Sequence, residues 1–89
     1  MISRTLLIKN KLGLHARAAS VFVKTAGAFG SDIRVTRGEK QADGKSIMAM
    51  MMLQASCGTE IMVSTDGEDE AEAMTAIVEM IDNRFGEDE

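Results

Sequence analysis

The single histidine of this chain, His15, stands in the run Gly13-Leu14-His15-Ala16-Arg17-Ala18, where a strand-like segment hands over to a helical one. Neutral imidazole is the side-chain nitrogen nucleophile that works well near pH 7. A helix N-terminus presents unpaired backbone N–H groups that favour an anion. A histidine at that point, with Arg17 two residues on, could hold and pass on a phosphoryl group. The same residues also fit a surface or helix-capping histidine without chemistry, because helix starts are common and one His specifies little. Spacing alone leaves both readings open.

Other reactive residue types are sparse. A lone Cys, Cys57, cannot form an internal disulfide, fits a reducing compartment, and reads as a turn residue within Ser56-Cys57-Gly58. One His, one Cys and scattered carboxylates offer no metal-ligand spacing, so neither a metal nor another cofactor is expected. A net charge of −4 without a basic cluster argues against nucleic acid as a partner. No apolar run reaches the roughly 18 residues that span a bilayer. The N-terminal segment lacks a signal-peptide pattern, since Arg4 and Lys9 flank only a short apolar run. The expectation is a cytoplasmic protein with no membrane contact. The 89 residues suit one domain over residues 1–89, and with only three Phe and eight Met its core must be aliphatic and Met-rich.

Strands and helices alternate along the chain. Ser3 to Lys9 is β-branched and aliphatic and reads as a strand, followed by the loop Asn10-Lys11-Leu12-Gly13. From Ala16 to Phe29, the residues Ala19, Phe22, Val23, Ala26 and Phe29 recur at helical steps, and Gly30 marks the helix end. Asp32 to Arg37 alternates as a half-buried strand, Arg37-Gly38-Glu39-Lys40 reads as a hairpin turn, and a short strand follows near Gln41 and Ala42. Ser46 to Leu53 is short and apolar; its Met and Ala residues favour a helix, capped by Asp43 or Ser46. Thr59 to Thr65 is a further strand, with Ile61 and Val63 inward. A last helix covers Glu68 to Phe85 with Ala71, Met74, Ile77, Val78, Ile81 and Phe85 on one face and acidic residues at its positive end. Gly86 ends it, and residues 86–89 form a frayed acidic tail. The order β-α-β-β-α-β-α predicts an α+β open-faced sandwich: one sheet with all helices on one face and the other face wet.

At this point the chain resembles the HPr family, the histidine phosphocarriers of the bacterial phosphoenolpyruvate-dependent phosphotransferase system. Gly13-Leu14-His15-Ala16-Arg17 matches the family's active-site signature, and Lys45-Ser46-Ile47-Met48 matches its regulatory-serine segment. The two motifs stand in order and in register with the elements, and the resemblance covers nearly the whole chain. It implies an antiparallel four-stranded sheet under three helices. It also implies that His15 accepts a phosphoryl group on Nδ1 from enzyme I, and that IIA domains of transporters or regulators receive it. Such a protein is a stoichiometric carrier rather than an enzyme. The backbone N–H groups of Ala16 and Arg17 and the guanidinium of Arg17 are the expected phosphate contacts. One departure is Ala18, where most members have proline; Ala retains helix propensity, so the helix start should survive. A nitrogen-branch paralogue with a regulatory IIA partner, or an interaction module that is never phosphorylated, remain the alternatives.

A carrier must dock several partners through one surface. Arg17, Ser20, Lys24 and Gly27 lie opposite the core stripe of the first helix. Ile47, Met48, Met51 and Met52 share the short second helix, and the resemblance places Met48 and Met51 outside, beside His15. Flexible, polarisable Met suits a patch that fits differing partners. Met52 is left open between core and surface. Within the family, Ser46 is the target of an ATP-dependent HPr kinase/phosphorylase in some bacteria, which weakens the response to enzyme I. The protein is expected to be a monomer.

Overall fold

The computed structural model describes residues 1–88. The chain runs β1 (Ile2–Leu7), α1 (Ala16–Gly27), β2 (Asp32–Arg37), β3 (Lys40–Asp43), α2 (Ile47–Met52), β4 (Glu60–Asp66) and α3 (Glu70–Asp82), and closes with a helical turn at Arg84–Gly86. This is the expected order. The four strands form one antiparallel sheet in the order β1-β4-β2-β3.

Alternation decides which face of the sheet is covered. Ile33 and Val35 of β2 and Ile61, Val63 and Thr65 of β4 are buried, while Arg34 and Met62 between them face solvent. Register sets the buried side chains side by side, with Val35 opposite Ala42 on one flank and Val63 on the other. Three helices close over that row. Phe22 and Ala26 of α1, Met50 of α2, and Ile77 and Ile81 of α3 all enter one core. A fully buried Phe or Ile side chain contributes about 1.5–3 kcal/mol by leaving water. The sheet's other face stays open, which gives the α+β open-faced sandwich.

Several element ends depart from the periodicity by one to three residues, and at three of them hydrogen bonds or backbone angles show why. β1 ends at Leu7 rather than Lys9, although Ile8 still pairs with the neighbouring turn through its N–H to Thr59 O (2.9 Å) and its carbonyl from Gly58 N–H (2.8 Å). α1 ends at Gly27, two residues before Phe29, because Ala28 and Phe29 donate to carbonyls three residues back and tighten the last turn. The N–H of Gly30 is taken instead by the Asp69 carboxylate at 2.9 Å. α3 stops at Asp82, because Arg84 (φ 53°) and Phe85 (φ 56°) both adopt left-handed backbone. Phe85 is buried as its place in the apolar stripe requires, yet it reaches the core from the separate closing turn and not from α3.

Candidate functional site

The loop before α1 fixes where the histidine stands. Gly13 N–H donates to Asn10 O at 3.1 Å, and Leu14 N–H donates to Ala55 O at 2.8 Å. Gly13 has φ +69°, and a Cβ there would lie 2.6 Å from Ala55 O, so only glycine allows this approach. Leu14, Ala18, Ala19 and Phe22 are buried and seat the first turns of α1 on the core. Ala18 fits this seat, and α1 begins at Ala16 as expected. Ala16 and Arg17 are thereby turned outward and exposed.

His15 is the N-cap of α1, with extended backbone (φ −78°, ψ −180°), and its Nδ1 accepts from Arg17 N–H at 3.3 Å. At the other edge of the ring, Nε2 donates to Glu87 Oε2 at 2.6 Å. In a neutral imidazole one nitrogen donates and the other accepts, so both contacts specify the Nε2–H tautomer. The side chain is 30% exposed. Arg17 and Glu87 flank it in a shallow concavity, with Lys11, Leu12 and Phe85 completing the wall.

Glu87 corrects the sequence reading. It was expected in a frayed acidic tail, but its other carboxylate oxygen, Oε1, accepts from Asn10 Nδ2 at 2.9 Å. Asn10 is fully buried and donates from the same nitrogen to Gly13 O at 2.7 Å. The Glu87 carboxyl is held below the usual carboxylate range, first by the Asn10 amide and further by His15 and Arg17, against the opposing effect of burial. The left-handed residues Arg84 and Phe85, with Gly86 at φ 81°, turn the chain back onto the histidine. A glycine just after an apolar Phe was the signal available for that return; nothing local pointed to Asn10 or Glu87 as partners of His15. Glu89, the last residue of the expected tail, lies outside the described residues.

The remaining expected positions divide cleanly. Ser20, Lys24 and Gly27 are exposed along α1. On α2, Ile47, Met48, Met51 and Met52 are exposed, while Met50 is buried in the core and Ala49 packs against it. Met52, 70% exposed, therefore joins the surface. Of the two capping candidates for α2 it is Ser46 that caps, its Oγ accepting from Ala49 N–H at 3.2 Å, while Asp43 accepts from Lys45 N–H. Cys57 is exposed in its turn, with Sγ 3.7 Å from Lys9 O. Among the described residues no helix is long and apolar enough to cross a membrane.

Known proteins match this chain closely. Residues 2–83 fit the family described as PTS HPr component phosphorylation site. The chain is 51% identical over 89 residues to the phosphocarrier protein HPr of Neisseria meningitidis serogroup A, covering 100% of both chains. It superposes on the crystal structure of HPr-C-His from Thermoanaerobacter tengcongensis with a TM-score of 0.96, 46% identity and 100% of both chains covered. A crystal structure of an HPr dimer from the same organism matches with a TM-score of 0.78 and 47% identity, covering 98% of this chain and 100% of that one.

Proposed function

The chain belongs to the HPr family, and from that premise we propose which residues do the carrier's work and with which partners. By family the protein is a phosphocarrier of the phosphotransferase system and not an enzyme; a phosphohistidine and a link to sugar transport follow. His15 is the residue that carries the phosphoryl group. One observation supports this above others: its Nδ1 lone pair faces the first turn of α1, beside exposed Arg17, in an open concavity.

Transfer follows from that placement. The Nδ1 lone pair attacks phosphorus in line, the bond from phosphorus to the donor breaks, and the donor leaves with the electron pair. The Arg17 N–H, which Nδ1 occupies in the free ring, turns to a phosphoryl oxygen alongside the Ala16 N–H. The Arg17 guanidinium supplies a charged contact to the same oxygens. Onward transfer runs these steps in reverse to a new acceptor.

The donor in this reading is enzyme I, and the acceptors are IIA domains of sugar permeases or regulators. They dock on Ser20, Lys24 and Gly27 of α1 and on Ile47, Met48 and Met51 of α2. Ser46 is a regulatory site for an HPr kinase/phosphorylase: its half-buried Oγ caps α2, and a phosphate there keeps a helix-compatible charge while altering the Met-rich surface. The sugar branch is preferred to a nitrogen-branch paralogue because the relatives are named HPr and Lys45-Ser46-Ile47-Met48 matches the family's serine segment. The transferring unit is a cytoplasmic monomer; sedimentation giving only dimer at low concentration would refute the monomer.

The site is tested by incubating the protein with phosphoenolpyruvate and enzyme I and following acid-labile, alkali-stable phosphate. The expected label is stoichiometric and absent from His15→Ala. Persistent labelling of that variant would end the assignment.

A further inference from the structure

We propose that Glu87 is a positioning residue for phosphoryl transfer: its carboxylate holds the proton on His15 Nε2, leaves Nδ1 as the nucleophile, and stabilises the positive charge the ring gains as the P–N bond forms. The proposal rests on the reading of His15 as the phosphoryl acceptor.

The two ring contacts come from unrelated parts of the chain and agree. Arg17 N–H, on α1, donates to Nδ1, and Glu87, beyond α3, accepts from Nε2 at 2.6 Å. Both contacts favour the Nε2–H tautomer, and the short carboxylate contact at 2.6 Å outweighs the backbone contact at 3.3 Å. The carboxylate is itself fixed at two points, since Oε1 accepts from buried Asn10 while Oε2 accepts from the ring Nε2–H. The backbone that delivers it is costly. Two consecutive non-glycine residues, Arg84 and Phe85, are left-handed, and Phe85 is pinned in the core at 6% exposure. A loose tail would satisfy its polar groups with water and need none of this.

The chemistry explains what the arrangement supplies. When Nδ1 bonds to phosphorus, the donor bond breaks toward the donor, the proton stays on Nε2, and the ring becomes cationic. A carboxylate on Nε2–H strengthens its charge-assisted hydrogen bond as that charge develops. In the return step, the same proton makes the ring a better leaving group, because a neutral imidazole departs. The carboxylate meets the ring at the Nε2 edge, away from the phosphorus that Nδ1 approaches, so it need not repel the incoming phosphoryl oxygens. An acid that orients a reactive imidazole from its far nitrogen plays the same part in hydrolytic triads and metal sites.

The test labels the ring nitrogens of His15 with 15N and compares wild type with Glu87→Gln, Glu87→Ala and Glu87→Asp. Phosphoryl acceptance from phosphorylated enzyme I is measured in parallel. Gln can still accept from Asn10, so the fold is preserved, but its amide both donates and accepts and no longer dictates a tautomer. The wild-type ring should be Nε2-protonated in its neutral form, and the Gln and Ala variants should show both tautomers. Their kcat should fall roughly tenfold, the lower end for groups that orient a reactive imidazole, with KM unchanged and part of the loss recovered in Glu87→Asp. An unchanged tautomer, a kcat within about twofold of wild type, or a rise in KM alone would each overturn the proposal. Wild-type protein that took no phosphate at His15 would sink the site assignment instead, while the tautomer, read without any transfer, would still decide what Glu87 does to the ring.

Discussion

At the scale of single residues, the pair His15 and Arg17 could be read directly, because both belong to one short motif and act across two positions. The other two members of the cluster could not. Glu87 lies 72 residues from His15, and its second partner Asn10 lies 77 residues from Glu87; only the fold brings them together. Asn10 looked like a turn residue, which it is, but its side chain also turns inward to Gly13 and Glu87. The test of Arg17 follows from its two separate contributions. Its backbone N–H is kept in any substitution but proline, while its exposed guanidinium is not. Arg17→Glu should slow transfer both to and from His15 by about tenfold, less than the 10²–10³ of a buried oxyanion donor because water screens an exposed charge. Thermal stability should stay within about 0.5 kcal/mol, as for surface changes in general. Rapid-quench measurement of both transfer directions checks this, and unchanged rates would return Arg17 to the solvated surface cations.

At the scale of elements, α2 carries the sharpest expectation. Its Met residues are alike in hydrophobicity, so composition could not sort them. Their placement on a helix of six residues does: one side meets the core, and Met50 occupies it, leaving Met48, Met51 and Met52 outside. Ser46 caps this helix, and Asp is as good a cap as Ser, so Ser46→Asp should leave the melting temperature nearly unchanged. It should nonetheless weaken phosphorylation of His15 by enzyme I, because the added charge sits beside the docking surface. Met48→Ala should give a similar docking loss with no change of charge. Ionic strength separates the two: the Ser46→Asp defect should shrink at high salt, since exposed charges are screened over about 8–10 Å near physiological salt, and the Met48→Ala defect should not. Titration calorimetry with enzyme I at two salt concentrations reads both; wild-type binding by both variants would remove α2 from the docking surface. Elements were legible here because periodicity reports which side chains are buried. Their ends were less so, because hydrogen bonds outside the periodic pattern set them: the backward bonds of Ala28 and Phe29 for α1, and the left-handed Arg84 and Phe85 for α3.

At the scale of the whole molecule, the helix layer is tied together at the end of α1 opposite the histidine. Asp69, just before α3, accepts from the N–H groups of Gly30 (2.9 Å) and Ser31 (3.0 Å) and from the Ser31 hydroxyl, joining the exit of α1 to the entry of α3. Asp69 is one of the acidic residues at the positive end of α3, yet its side chain makes no cap bond there and reaches across to the exit of α1. The Ser31 hydroxyl first, and then the Gly30 N–H, hold its carboxyl below the ordinary value. The sign is therefore fixed. As pH falls, the unfolded chain takes up its proton near the usual carboxylate pKa of about 4, before the folded protein does. Stability from this clamp is complete above that value and drains away as pH drops through the lower folded value. Asp69→Asn should melt below wild type at pH 7, and the gap should narrow as pH falls below the usual carboxylate range and through the lowered folded value. A helix of 12 residues, about 18 Å long, separates the clamp from His15. Phosphoryl transfer at neutral pH should therefore be the same in both proteins at temperatures where both are folded. Thermal melts across pH, paired with a transfer assay at pH 7, check the two statements together. A melting gap that persisted unchanged into acid would show that the Asp69 carboxylate contributes nothing through its charge, and a transfer defect at pH 7 would show that the two ends of α1 are coupled.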